Sequence, residues 1–276
     1  MRSSIILLAG FTSFLATSVA SDRGSSSSAF DISGATNVFA MNVSARAEKP
    51  TIVLVHGAWA DATGWQELIP LLQQQGYPVV AVENPLTSFD GDIATTKRLI
   101  DAQHGPVIAV GHSYGGAVIT GAAAGNPNVK ALVYVAAFAP DAGEAIGALQ
   151  GKYPATPLAT ALKPDAAGFL YIDTNKFRDA FAQDVPLRET RIMAATQKPL
   201  NGSALGASPP QAAWRTIPSW YLVATEDHAL NPELQRFYAK RMGAHTTEVR
   251  SSHVMFISHA NEVAKAIEEA AKAEVK

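Results

Sequence analysis

The sequence predicts an α/β domain: a mostly parallel sheet with helices on both faces. Three observations predict it. Short, continuous β-branched runs alternate with helical stretches, as expected of strands buried on both sides. Two of those runs end in glycine-containing turns, His56-Gly57 and Gly111 to Gly116, which lead into helical segments. The chain of 276 residues with 47% hydrophobic types has the material for one large core, where roughly 150 residues per domain is only a soft prior.

The domain begins near Pro50. Thr51 to Val55 reads as its first strand. Trp65, Leu68, Ile69 and Leu72 then fall on one helical stripe, which Pro70 must bend or interrupt and Gly76 ends. Val79 to Val82 is the second strand, followed by a helical stretch around Ile93 to Asp101, and Val107 to Val110 is the third. After Gly111-His112-Ser113-Tyr114-Gly115-Gly116 comes a helix of small residues, Ala117 to Ala124, suited to lie close on a sheet. Ala131 to Val135 and Trp220 to Ala224 are the fourth and fifth strands, and Pro232 to Arg241 is a helix. Thr246 to Val249 is the sixth strand and Asn261 to Ala273 the closing helix.

Between about residues 141 and 217 the alternation breaks, and an insertion covering one end of the sheet is expected. Within it Lys176 to Asp184 and Leu187 to Gln197 read as helical, the second opened by Pro186, and Pro199 to Ala213 as loop. Ahead of the domain, Arg2, the apolar run Ile5 to Ala16 and small residues at Ser18 and Ala20 have the three parts of a secretory leader over residues 1–20, too short to span a bilayer comfortably. Residues 21–48, rich in Ser, Ala, Gly and Asn, read as a loose extension before a domain over 49–276. A secreted or periplasmic protein without a membrane span in its mature form is the expectation.

Composition narrows the function. Charged types make up only 17% and the net charge is −2, so no basic face strong enough to gather phosphates is implied, and nucleic acid is not an expected partner. With no cysteine there is neither a disulfide nor a thiol-bound metal. The sequence lacks His-Glu-x-x-His, a phosphate loop ending in Gly-Lys-Ser/Thr, and Gly-x-Gly-x-x-Gly. Chemistry without a metal or cofactor is expected.

Ser113 stands at the centre of Gly-x-Ser-x-Gly between a strand and a helix. A sharp turn there lifts the hydroxyl above the sheet, and the free amides at the start of the helix can stabilise an oxyanion. A serine hydroxyl needs a base. Of seven histidines, His253 lies just past the sixth strand at the carboxyl end of the sheet, whereas His259 sits where a helix begins and suits a capping role. His104 and His245 fall in turn-like segments, His228 in a loop, and His112 is held by the nucleophile's turn. An orienting acid completes the set. Asp227 follows the fifth strand and keeps the order Ser, acid, His; Asp141, after the fourth strand, remains an alternative. Ala58 and Tyr114 are the expected oxyanion amides, with Trp59 and Phe138 as substrate-pocket walls and His56 orienting the loop.

From Pro50 to about Ala273 these blocks resemble the α/β-hydrolase superfamily, in its small esterase and hydroxynitrile-lyase-like branch. Val55-His56-Gly57-Ala58-Trp59, Gly111 to Gly116, Ala224-Thr225-Glu226-Asp227 and Ser252-His253-Val254 carry the resemblance. It implies an eight-stranded, mostly parallel sheet with a helical lid after the sixth strand, the two extra strands falling around Val38 to Ala47. Dehalogenases and epoxide hydrolases of the superfamily use an Asp nucleophile where this chain has Ser113. Hydroxynitrile lyases of the branch carry a Lys after the catalytic His, where this chain has Val254. Hydrolysis of a small carboxylic ester through an acyl-enzyme is therefore expected, with kcat/KM falling below about pH 6 to 7 as the base protonates. A ligand-binding protein on the same scaffold and a cofactor-free perhydrolase are the alternatives. Phe169, Leu170, Phe177 and Phe181 of the insertion suggest an apolar acyl or alcohol group.

Overall fold

The computed structural model describes residues 49–273. The expected leader, the loose extension and the two strands placed around Val38 to Ala47 lie outside these residues.

Nine strands and eight α-helices follow in order among the described residues. They begin with β1 (Thr51–Val55), α1 (Leu68–Gln74), β2 (Val79–Val82), α2 (Phe89–Asp101), β3 (Val107–His112), α3 (Tyr114–Ala122) and β4 (Val129–Val135). The inserted segment contains β5 (Leu162–Pro164), β6 (Phe169–Ile172), α4 (Phe177–Phe181), α5 (Leu187–Thr196) and β7 (Leu200–Asn201). β8 (Ser219–Ala224), α6 (Pro232–Met242), β9 (His245–Val249), α7 (Met255–Ser258) and α8 (Ala260–Ala273) complete the chain.

The six strands expected from sequence form one all-parallel sheet in the order β2-β1-β3-β4-β8-β9. Residues 107–112 of β3 are buried throughout, as are residues 219–224 of β8, because helices cover both faces. The helical stripe is interrupted ahead of Pro70: a 3-10 turn over Ala62–Trp65 precedes α1, and Pro70 stands in the first turn of α1, where its missing N–H has no intrahelical partner to lose. His245, expected in a turn, opens β9 and stacks its ring on Trp220 at 4.7 Å.

Strand order reverses between β1 and β3, which places the crevice of an open α/β sheet at their carboxyl ends. Val55 pairs with Gly111, so the chain leaves β1 and β3 side by side. Ala224 pairs with Val249, so it leaves β8 and β9 side by side as well. Four loops thus converge at one rim.

The insertion after β4 is not purely helical. It folds β5, β6 and β7 into a small antiparallel sheet beside α4 and α5, and the stretch expected as loop contains β7 and a 3-10 turn over Gly202–Gly206. Among the described residues no helix is long and apolar enough to cross a membrane.

Candidate active site

Ser113 sits between β3 and α3 with φ 53° and ψ −124°, a conformation that L-residues resist. Its backbone holds it there: the amide donates to the Val135 carbonyl (3.2 Å), and its own carbonyl accepts from Gly116 and Phe138 (both 3.0 Å). Close approach makes glycine obligatory on either side. A Cβ at Gly111 would stand 2.6 Å from the Gly115 carbonyl oxygen, and one at Gly115 would collide with the Val55 carbonyl of β1.

His253 and Asp227 are both buried, and the Nδ1–H of His253 donates to Asp227 Oδ2 at 2.6 Å. That fixes the tautomer and leaves Nε2 as the basic nitrogen. Asp227 is itself held by three more donors: the amides of Ala229 (2.7 Å) and Leu230 (2.9 Å) on Oδ1, and Gln235 Nε2 (2.7 Å) on Oδ2. The bland role available to Asp227, capping α6, belongs to Asn231 instead. The alternative acid, Asp141, pairs with Arg215, while Glu226 pairs with Arg250 on the surface.

Ser113, His253, Ala58, Tyr114, Trp59 and Phe138 all line one cavity of about 390 Å³. Among the described residues the Ser113 hydroxyl makes no hydrogen bond to His253 or to any other group. Such contacts are long in unliganded sites and tighten as substrate closes them. The Ala58 amide likewise has no partner among the described residues, and that of Tyr114 opens α3, where first-turn donors go unpaired. The result is an acceptor nitrogen, a free hydroxyl and two free amides around one apolar space.

The other histidines divide as their burial dictates. His56 donates from Nδ1 to the Gly57 carbonyl (2.8 Å) and accepts the Asn84 amide on Nε2 (3.0 Å), which orients the loop as expected. His112 donates from Nε2 to the His253 carbonyl (3.0 Å) and packs its ring 4.7 Å from that of His253. Burial pushes both His56 and His112 below the ordinary imidazole value, so they stand neutral.

The four apolar residues singled out in the insertion, Phe169, Leu170, Phe177 and Phe181, are not the ones that face the cavity. Phe177 and Phe181 are fully buried, and Phe181 packs behind the imidazole of His253 at 5.1 Å and edge-on against Trp59 at 6.0 Å. The insertion contributes the leucines Leu158, Leu162, Leu200 and Leu205 to the wall, which join Leu230 and Leu234 around α6 and the aromatic walls Trp59 and Phe138.

Sequence reasoning missed Gln235. Its signal is a glutamine on the buried stripe of α6, between Leu234 and Tyr238, where an unpaired amide would be costly. It also missed Asp184 of the insertion, whose carboxylate accepts the Ser252 amide (2.8 Å) beside His253.

Comparison with known proteins shows the family of the chain. A sequence model described as the alpha/beta hydrolase family matches residues 52–266. The chain is 27% identical over 247 residues to an alpha/beta hydrolase of Aspergillus novofumigatus, covering 81% of this chain and 97% of that protein. It is 24% identical over 212 residues to methylesterase 8 of Arabidopsis thaliana, covering 68% and 76%. Among solved structures it resembles a pyrethroid hydrolase from Sphingobium faniae with a TM-score of 0.69 and 23% identity, over 81% of this chain and 98% of that one, a likeness of fold.

Proposed function

Because the chain belongs to the alpha/beta hydrolase family, we propose that it is a serine hydrolase that cleaves a small carboxylic ester through an acyl-enzyme. The observation that carries the proposal is the buried His253–Asp227 pair at 2.6 Å, its imidazole bordering the same cavity as the free hydroxyl of Ser113. Ser113 Oγ attacks the ester carbonyl while His253 Nε2 takes its proton. The tetrahedral oxyanion is met by the Ala58 and Tyr114 amides. Collapse expels the alcohol with the proton from His253, and water then releases the acid by the same route. Asp227 holds the ring and steadies the imidazolium.

The leucine-lined cavity of about 390 Å³ suits a compact, apolar acyl or alcohol group, with few polar groups to fix orientation. The methylesterase relative acts, by its name, on methyl esters, a class compatible with that volume. Export after cleavage near Ala20 belongs to the same proposal and is read from the N-terminal residue of the mature protein.

The test is a fluorophosphonate reaction followed by peptide mass mapping, with hydrolysis of a nitrophenyl ester alongside. A single adduct at Ser113 and sustained turnover are expected. An adduct elsewhere, or none, overturns the nucleophile. One turnover without release would make the protein a binder on a hydrolase scaffold.

A further inference from the structure

The loop that offers the Ala58 amide continues into Trp59 at φ 58°, in the left-handed region that an aromatic residue resists. Something must hold it there. Both hydrogen bonds that Trp59 donates run to the inserted segment: its amide to the Lys198 carbonyl (3.0 Å) and its indole Nε1–H to the Leu170 carbonyl (2.7 Å).

Lys198 is in turn fixed by its own side chain. Its ammonium donates to Glu83 Oε1 (2.6 Å) and to the Asn84 carbonyl at the end of β2. Glu83 Oε2 accepts the Ala62 amide (2.9 Å), three residues after Trp59, and the Asn84 amide donates to His56 Nε2 (3.0 Å), two residues before Ala58. The loop is therefore held before the oxyanion amide by Asn84 and after it by Glu83, both of which the Lys198 ammonium binds, and at Trp59 by the insertion.

We infer that the inserted segment holds the oxyanion loop in its working shape, and that Lys198 is the positioning residue through which it does so. The sheet decides where the loop starts; the insertion decides where the Ala58 N–H points. The ion pair is part-exposed, with side-chain exposures of 30% for Lys198 and 53% for Glu83, so its direct contribution to stability is small. Its effect belongs in catalysis, because misplacing a catalytic group by about 1 Å costs on the order of 100-fold in rate.

The inference rests on the ester-hydrolase reading, and the experiment separates the two. In Lys198→Met, kcat on a nitrophenyl ester should fall about 10- to 100-fold with KM nearly unchanged, since an oxyanion donor acts mainly in the transition state. Inhibition by a trifluoromethyl ketone, whose hemiketal places an oxyanion in the same spot, should weaken by the same factor. The thermal midpoint should hold, and Lys198→Arg should restore most of both losses. Glu83→Gln gives the same pattern more mildly, and decides the matter if Lys198→Met folds poorly. Wild-type kcat and ketone affinity in these variants, or a rise in KM alone, overturns the inference. A wild-type protein with neither ester turnover nor an adduct at Ser113 defeats the hydrolase reading itself.

Discussion

Ser113 combines a strained backbone with a side chain free of hydrogen bonds, and the two properties predict separable effects. In Ser113→Ala the strain stays and only the hydroxyl goes. The variant should fold with wild-type stability while kcat on an activated ester drops by about 10⁴ to 10⁶, as expected when a nucleophile is removed from a cooperating set. In Ser113→Gly the backbone relaxes as well. Relief of about 1 to 3 kcal/mol of strain exceeds the roughly 0.5 to 1 kcal/mol entropic cost of glycine, leaving that variant about 1 kcal/mol more stable than Ser113→Ala. Urea unfolding of the pair measures the difference, and a glycine variant below the alanine variant would show that the turn stores no strain. The neighbouring carboxylate behaves differently: with four donors on Asp227, its place is set by the groups around it.

Among the elements, α6 bears on this most directly, because Gln235 joins it to both β8 and the acid loop. Its Oε1 accepts the Ala224 amide (2.9 Å), and its Nε2 donates to Asp227 and to the Leu230 carbonyl (2.8 Å), all buried. Gln235→Leu keeps the volume and strands those partners, so it should cost about 2 to 4 kcal/mol in urea unfolding. It should also lower kcat about 10- to 100-fold as Asp227 loses its bearing; an unchanged rate would show that the amides of Ala229 and Leu230 suffice. Such a residue is hard to see in sequence because its polarity contradicts the stripe it sits on. The central strands were legible because they are continuous apolar runs, whereas β9, polar and exposed along most of its length, was marked only by its β-branched residues. Ser113, Asp227 and His253 stand out in sequence because chemistry, strand ends and chain order agree, and the structure pairs His253 with Asp227 and sets Ser113 and His253 on one cavity. The sheet of the insertion was not legible, since strands of three, four and two residues are too short for alternation to show. Phe177 and Phe181 were recognisable as apolar, but only packing tells which side of His253 they occupy. Lys198 reads as an ordinary surface lysine, since Glu83 is 115 residues away along the chain.

Over the whole molecule, polar groups are carried inward at the carboxyl rim of the sheet, and this sets how stability responds to acid. His56 and His112 are 1% and 0% exposed, and burial holds both below the value of about 6.5 that an unfolded histidine has. Below that pH the unfolded chain takes up a proton on each ring more readily than the native rings, whose burial resists it. The unfolded state therefore binds more protons, so the contribution is complete above about pH 6.5 and is lost as pH falls. Asp92, which burial raises and which accepts the Tyr114 hydroxyl at 2.7 Å, runs the other way: where it titrates, the native state holds the extra proton. Asp141, held low by Arg215, and Glu248, held low by Arg236, add their losses only below about pH 4.5. As pH falls through the range where an unfolded histidine protonates, unfolding thus takes up protons on these two rings and stability declines. Urea unfolding at pH 7.5, 6.5 and 5.5 should show a smaller loss of stability over the first step than over the second. His112→Asn, which removes one of the two rings, should flatten that second step. A stability that holds or rises on acidification would mean that the native state admits a proton to His56 and His112.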